Sequence, residues 1–278
     1  MFQFIANIFG YLLEWLYNGI GQNYGIALIL FTIILRIILL PLTIKQQKSM
    51  KKTTELQGKM QEIQFKYKNN PELMNKEIMD LYKRENLSPF SGCISSIVQI
   101  LIILSVFYLV SRPLTYMKKI DPGIIENYRN EISAENDGKI SNYYEIEIIQ
   151  KKAAQDENIK VNMDFLGLDL SKVPSQNMSD ATVYIIPLLY VVSSIFSIRM
   201  TTGKTKKKEG SNSSEPDMTQ QMNKSMSYMM PIMAVSIAFV APLGLALYWL
   251  ISNILMILER IVINKYVDSK EEKTLCLK

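Results

Sequence analysis

The sequence predicts an all-α integral membrane protein: five transmembrane helices with a cytoplasmic helical hairpin and an N-terminal interfacial helix. Three observations carry that class. Windows of about 20 apolar residues recur along the chain, the length that crosses a ~30 Å hydrocarbon core at ~1.5 Å rise per residue. The segments between them differ in charge balance: basic after the first and third windows, acidic after the second. The whole-chain averages, 48% hydrophobic and 21% charged, look nearly soluble only because they mix very apolar stretches with very charged ones. The net charge of +5 therefore informs through its sidedness, not its sum. The chain has no histidine and two cysteines, Cys93 and Cys276. That argues against a disulfide framework and against zinc, haem or iron–sulfur sites, and it excludes a histidine base. No cofactor, metal or catalytic residue is expected, and no enzymatic activity.

Residues 1–22 are rich in Phe, Tyr, Trp and Leu and lack Lys and Arg. Ile5, Phe9, Leu12, Leu13, Leu16 and Ile20 recur near helical spacing, which predicts an amphipathic helix on the outer membrane surface. A signal-like anchor, or an extension of the first span, is the alternative, although the basic n-region of a cleavable signal is missing. The first span, 23–43, contains YGIALILFTIILRIILLPLT, nineteen apolar or weakly polar residues and Arg36. Residues 44–88 follow as a helical hairpin with ten basic and six acidic residues between Lys45 and Glu85. It is broken at Asn69-Asn70-Pro71, where Asn70 suits an N-cap, Pro71 the first helical position and Glu72 the first turn. Its apolar stripe is too thin for a core of its own, so mobility is expected.

The second span is 89–111, with Gln99 as its strongly polar interior residue. The segment 112–180 carries twelve acidic residues against nine basic ones, and contains helix-like patches at Ile124–Ile132 and Asn142–Asn158. The third span, 181–199, leads into a basic loop, 200–225, with Lys204, Lys206, Lys207 and Lys208 before GSNSSEP. Met226 to Leu258 is a run of 33 residues, too long for one crossing, and Pro242-Leu243-Gly244 divides it into spans at 226–242 and 243–263. Residues 264–278 form a short tail of mixed charge. The positive-inside rule then sets the N-terminus outside and the C-terminus in the cytoplasm, since long translocated segments such as 112–180 obey the rule weakly.

Arg36 has no acidic residue in its own span, and reads as a lone intramembrane cation. A guanidinium at the bilayer centre costs about 2.5–3.5 kcal/mol on insertion scales. Two readings stand. Its side chain snorkels toward the headgroups near Pro41, or it faces a wet cavity together with Thr32, one turn earlier on the same face. Gln99, Ser193, Ser194, Ser197, Ser252 and Asn253 are either interhelical hydrogen-bond groups or the lining of such a cavity. Trp249 and Tyr248 lie too deep for an interfacial belt. The run Met218, Met222, Met226, Met229, Met230 and Met233 offers a polarisable surface for varied apolar partners, or a plain packed stripe.

Three motifs stand in order and in register: LRIILLPLTIKQQKSMKKTTELQ, KYKNNPELMNKEIMDLYKRENLSPFSGC and APLGLALYWLISN. Together they resemble the YidC-type membrane protein insertases of the YidC/Oxa/Alb superfamily, over about Phe9 to Val267, in the form found in Gram-positive bacteria. The resemblance implies an insertase and chaperone of the bacterial cell membrane. Nascent membrane proteins enter a hydrophilic groove open to the cytoplasm and to lipid, then pass sideways into the bilayer. It implies Arg36 in the groove, with Thr32, Gln99, Ser197, Trp249 and Asn253 as further lining, and a slide into lipid past Val106, Met230 and Met233. The hairpin becomes a cytoplasmic lid. Ribosomes in transient contact and the general secretion translocon are further implied partners, with no specific nucleic acid.

This chain departs from the family pattern in several places. Ser95, Ser96 and Leu101 stand near positions where the family usually has prolines, and Ser197 stands where a glutamine is common. No lipoprotein-type cysteine lies near the N-terminus, the tail lacks a long basic extension, and the 112–180 segment is longer than usual. A different class remains open on the residues alone: an anion or solute transporter binding at Arg36, against which no inverted repeat is visible. A scaffold that only binds membrane proteins is the third reading.

Overall fold

A computed structural model describes residues 2–85, 91–202 and 236–275, with side chains described except at 50, 53–55, 57, 91–96, 201–202 and 264–275. The described residues are mostly helical, and Met1–Arg36 with Ser105–Lys278 forms one compact unit, Ile37–Leu104 another. Three helical stretches are long and apolar enough to cross a membrane: Tyr24–Ser49, Ala181–Met200 and Leu243–Ile263. A shorter apolar stretch, Ile97–Ser111, falls where the second span is expected. Of the expected fourth span, 226–242, residues 236–242 are described, and 236–240 are helical.

In the first unit, α1 (Phe2–Gly19) buries Ala6, Gly10, Leu13, Leu16 and Tyr17. Gly10 is required there because a Cβ would collide with the backbone carbonyl of Tyr116, in the short helix α5 (Pro113–Tyr116). Phe9 meets Phe31 edge-on at 5.5 Å, joining α1 to α2 (Tyr24–Lys66). Pro41, near the end of the span expected at 23–43, lies inside this helix. A proline removes one i→i−4 bond, and long apolar helices tolerate that loss where nearby groups re-satisfy the backbone.

The segment after α4 (Ser91–Ser111) is ordered. It contains α5, α6 (Pro122–Glu135), α7 (Tyr144–Lys152) and a two-stranded hairpin, β1 (Asp164–Phe165) and β2 (Leu168–Asp169). Leu166 and Gly167 both take positive φ, +55° and +78°, the backbone of a two-residue primed turn. The buried carboxylate of Glu145, on α7, accepts from the Thr115 N–H at 2.9 Å and the Thr115 hydroxyl at 2.6 Å, tying α7 to α5.

Residues 162–172 close the N-terminal ends of two long helices. The first N–H groups of a helix have no partner within it, so they need one from outside. Tyr24 N donates to Asn162 O at 3.0 Å, and Asn23 Nδ2 donates to Asp164 O at 2.7 Å. Leu243 N donates to Lys172 O and Gly244 N to Leu170 O, both at 2.9 Å, at the start of α9 (Leu243–Leu275). The Phe165 ring seats against Gly25, where a Cβ would lie 2.6 Å from it. α9 packs along α8 (Ile185–Thr202).

In the second unit, α3 (Pro71–Arg84) begins with Asn70 accepting from Leu73 N at 3.1 Å and buries no residue. Lys59 pairs with Glu85 at 2.8 Å, and the Tyr82 hydroxyl contacts the Met60 sulfur at 3.7 Å, two contacts that tie α3 to the end of α2.

Candidate functional site

The site grows from the one cation in α2's apolar run. Arg36 stands about three turns into α2 and Ser252 about two and a half turns into α9, and the shared closure of the two N-termini brings them within reach of each other. Arg36 Nη2 donates to Ser252 O at 3.1 Å and to Ser252 Oγ at 2.7 Å. The Tyr248 hydroxyl, one turn earlier, bonds to the same Ser252 side chain. Two turns later on that face of α9, Glu259 Oε2 lies 3.6 Å from Arg36 Nη1. The two charged side chains are 15% and 11% exposed. Glu259 Oε2 accepts no hydrogen bond from the described residues.

Arg36 is therefore not a lone cation. Its counter-charge comes from a different helix, from Glu259 in the stretch expected as the fifth span, 243–263. Ser252 and Glu259, seven residues apart on one helical face, were the available signal. Only the pairing of α2 with α9 reveals that they meet an arginine.

The other expected site residues have different surroundings. Thr32 is buried, and its hydroxyl donates to Leu28 O at 2.6 Å, within its own helix. Asn253 is buried facing α8, with Nδ2 donating to Ser193 Oγ at 2.9 Å and Ser194 Oγ at 3.3 Å, an interhelical fastening. Trp249 is half-buried, its ring 6.4 Å from that of Tyr190 on α8. Ser197 is half-buried on α8. Gln99 is half-buried on α4, in the second unit. Val106 is fully buried, which places it in the packing and not on a lipid-facing surface. Met230 and Met233 lie outside the described residues. Among the described residues no cluster of three or more His, Cys, Asp or Glu is grouped to hold a metal ion.

Away from this level, two carboxylates are shifted in opposite directions. Burial pushes the Glu145 carboxyl above its ordinary value, against the pull of its Thr115 hydrogen bonds. Lys172, donating at 2.7 Å, and then the Thr182 hydroxyl and N–H hold Asp180 down at about 2.

A family model described as 60Kd inner membrane protein matches residues 15–271. Among curated relatives, "Membrane protein insertase YidC" of Treponema denticola is 29% identical over 261 residues, covering 94% of this chain and 37% of that protein. The protein of the same name from Oceanobacillus iheyensis is 28% identical over 272 residues, covering 95% of this chain and 85% of the relative. That of Clostridium perfringens is 44% identical over 91 residues, 33% of this chain and 38% of the relative. The chain spans little more than a third of the length of several of these relatives, and most of the Oceanobacillus one. Long apolar helices, the three motifs in register and a match over nearly the whole sequence agree, and the chain belongs to the 60Kd inner membrane protein family, that of the YidC-type membrane protein insertases.

Proposed function

We propose that the chain is a membrane protein insertase and chaperone of the bacterial cell membrane. It receives hydrophobic nascent proteins from the cytoplasm in a hydrophilic groove and releases them laterally into the lipid bilayer. The observation that carries this reading is the polar level at Arg36: a guanidinium and a carboxylate, both partly exposed, joined to a buried serine, within helices otherwise apolar enough to span a membrane. Intramembrane ionisable groups of this kind mark paths for polar cargo. The reading takes five spans, an outer N-terminus and a cytoplasmic C-terminus. The domain limits are those of the sequence: an interfacial helix at 1–22, the hairpin at 44–88 as a mobile lid, and the 112–180 segment on the outer side.

A hydrophilic tail of the incoming chain enters at Arg36, with Ser197 and Trp249 along the groove wall and Thr32 and Asn253 behind it as structural support. The apolar segment then slides into lipid along the fourth span, past Met230 and Met233. Partition of apolar surface supplies the drive at about 25 cal/mol per Å², and outward movement of one negative charge gains about 2.3 kcal/mol per 100 mV. Nascent membrane proteins and lipid are the partners, with transient contact to the ribosome and to the general secretion translocon.

The test uses a single-span substrate with an acidic translocated tail, in proteoliposomes and by rescue of insertase-depleted cells. Arg36→Ala is expected to abolish insertion while the protein still folds. Full insertion by both Arg36→Ala and Arg36→Glu overturns the mechanism.

A further inference from the structure

We propose that Glu259 is a built-in counter-ion for Arg36, displaced by the carboxylate of the incoming tail, and that it thereby sets how acidic a tail must be to engage the groove. The inference rests on the insertase reading above and names a specificity residue that this reading leaves unassigned.

The geometry of the pair carries the argument. Arg36 presents five N–H donors in a planar fork, and Ser252 engages Nη2 through two oxygens. Glu259 approaches only Nη1, at 3.6 Å, beyond a charge-assisted hydrogen bond, which closes at about 2.7–2.9 Å. Its Oε2 is buried and accepts no hydrogen bond from the described residues. The carboxylate thus neutralises the guanidinium by proximity without a directional bond to Nη1. A second carboxylate with freedom to align closes to hydrogen-bond distance on Nη1, the bond that Glu259 does not make, while Ser252 keeps Nη2. Displacement exchanges a loose ion pair for a tight one.

The surroundings favour exchange over permanent pairing. The Arg36 and Glu259 side chains keep 15% and 11% exposure, so the pair can be approached and is not sealed in a core. Ser252 holds the guanidinium in place from the other side, so release of Glu259 does not let Arg36 swing away. An uncharged tail has nothing with which to compete, and Glu259 stays in place. The pair discriminates between tails as well as stabilising the empty site.

The full chain in nanodiscs is titrated with a fluorescent single-span peptide whose hydrophilic tail carries several Asp, and with the same peptide carrying Asn at those positions. Glu259→Gln removes the competing charge at constant size. It is expected to tighten binding of the Asp peptide by roughly two- to fivefold, the range of a single partly exposed ion pair, with the Asn peptide unchanged. The gain is expected to vanish in Arg36→Ala/Glu259→Gln. Glu259→Asp, which withdraws the charge by one methylene, gives a smaller gain and serves if the Gln variant misfolds. Unchanged or weaker Asp-peptide binding in Glu259→Gln, with the Asp preference still lost in Arg36→Ala, overturns the proposal and leaves the insertase reading intact. Equal tightening of both peptides overturns it too. An Asp preference unaffected by Arg36→Ala removes the groove reading itself, and this inference with it.

Discussion

The N-terminal ends of α2 and α9 and the level of Arg36 lie on the same two helices, yet they treat polar groups in opposite ways. At the ends, Asn162, Asp164, Leu170 and Lys172 offer carbonyls to Tyr24, Asn23, Gly244 and Leu243 at 2.7–3.0 Å. About three turns further along, a carboxylate stands 3.6 Å from a guanidinium with an oxygen left unbonded. Buried polar groups are nearly always paired, so an exception calls for a reason. The contrast separates helix ends whose backbone groups are closed by a loop from a level where a charged pair is held loosely.

The comparison breaks most severely if a satisfied group is removed. Glu145→Ala leaves the Thr115 N–H and hydroxyl without their acceptor, in a region where Glu145 is fully buried. A loss of about 2 kcal/mol is expected, the penalty of orphaned buried donors, read by thermal or denaturant unfolding in detergent. A loss below ~0.5 kcal/mol means that the α5–α7 tie is not holding the segment.

A smaller effect tests the surface pair at the start of the third span. Asp180 is held below its ordinary 3.8, at about 2, by Lys172 and Thr182. A depressed carboxyl contributes stability that is fully present above its unfolded value and disappears as pH falls through the folded one. The melting temperature is therefore expected to drop between 3.8 and about 2 less steeply in Asp180→Asn than in the parent. Identical slopes exclude the pair as a contributor.

The smallest effect sharpens the contrast from the other side. The Tyr24 hydroxyl is buried with no hydrogen-bond partner among the described residues, although it sits at the well-satisfied end. Tyr24→Phe removes a desolvated group that makes no bond, so stability within ~0.5 kcal/mol of the parent, or slightly above it, is expected. A clear destabilisation reveals a partner for that hydroxyl.

Much of the organisation was legible in the residues because it depends on local chemistry. Asn70-Pro71-Glu72 starts a helix wherever it stands, and Asn70 caps α3 as read. Pro242 likewise interrupts the helical run, with α9 beginning at Leu243. Pro41 lies inside α2, because the local penalty of one missing bond is absorbed by a long helix. Val106 looked like any other apolar residue of its span, since periodicity does not say which face meets lipid and which meets protein. Asn253 and Thr32 were visible as polar residues in spans, but their partners, Ser193 and Ser194 in one case and Leu28 in the other, were not.

By itself the sequence determined the class of molecule, the apolar windows, the helix-breaking points and the family, because each follows from composition, spacing or motif along the chain. Only the tertiary structure decided what Arg36 touches. Ser252 and Glu259 lie more than two hundred residues away in sequence, and they reach Arg36 because the 162–172 loop closes both helices at one end. Contacts of that kind depend on where helices stand side by side, which no local pattern of residues encodes.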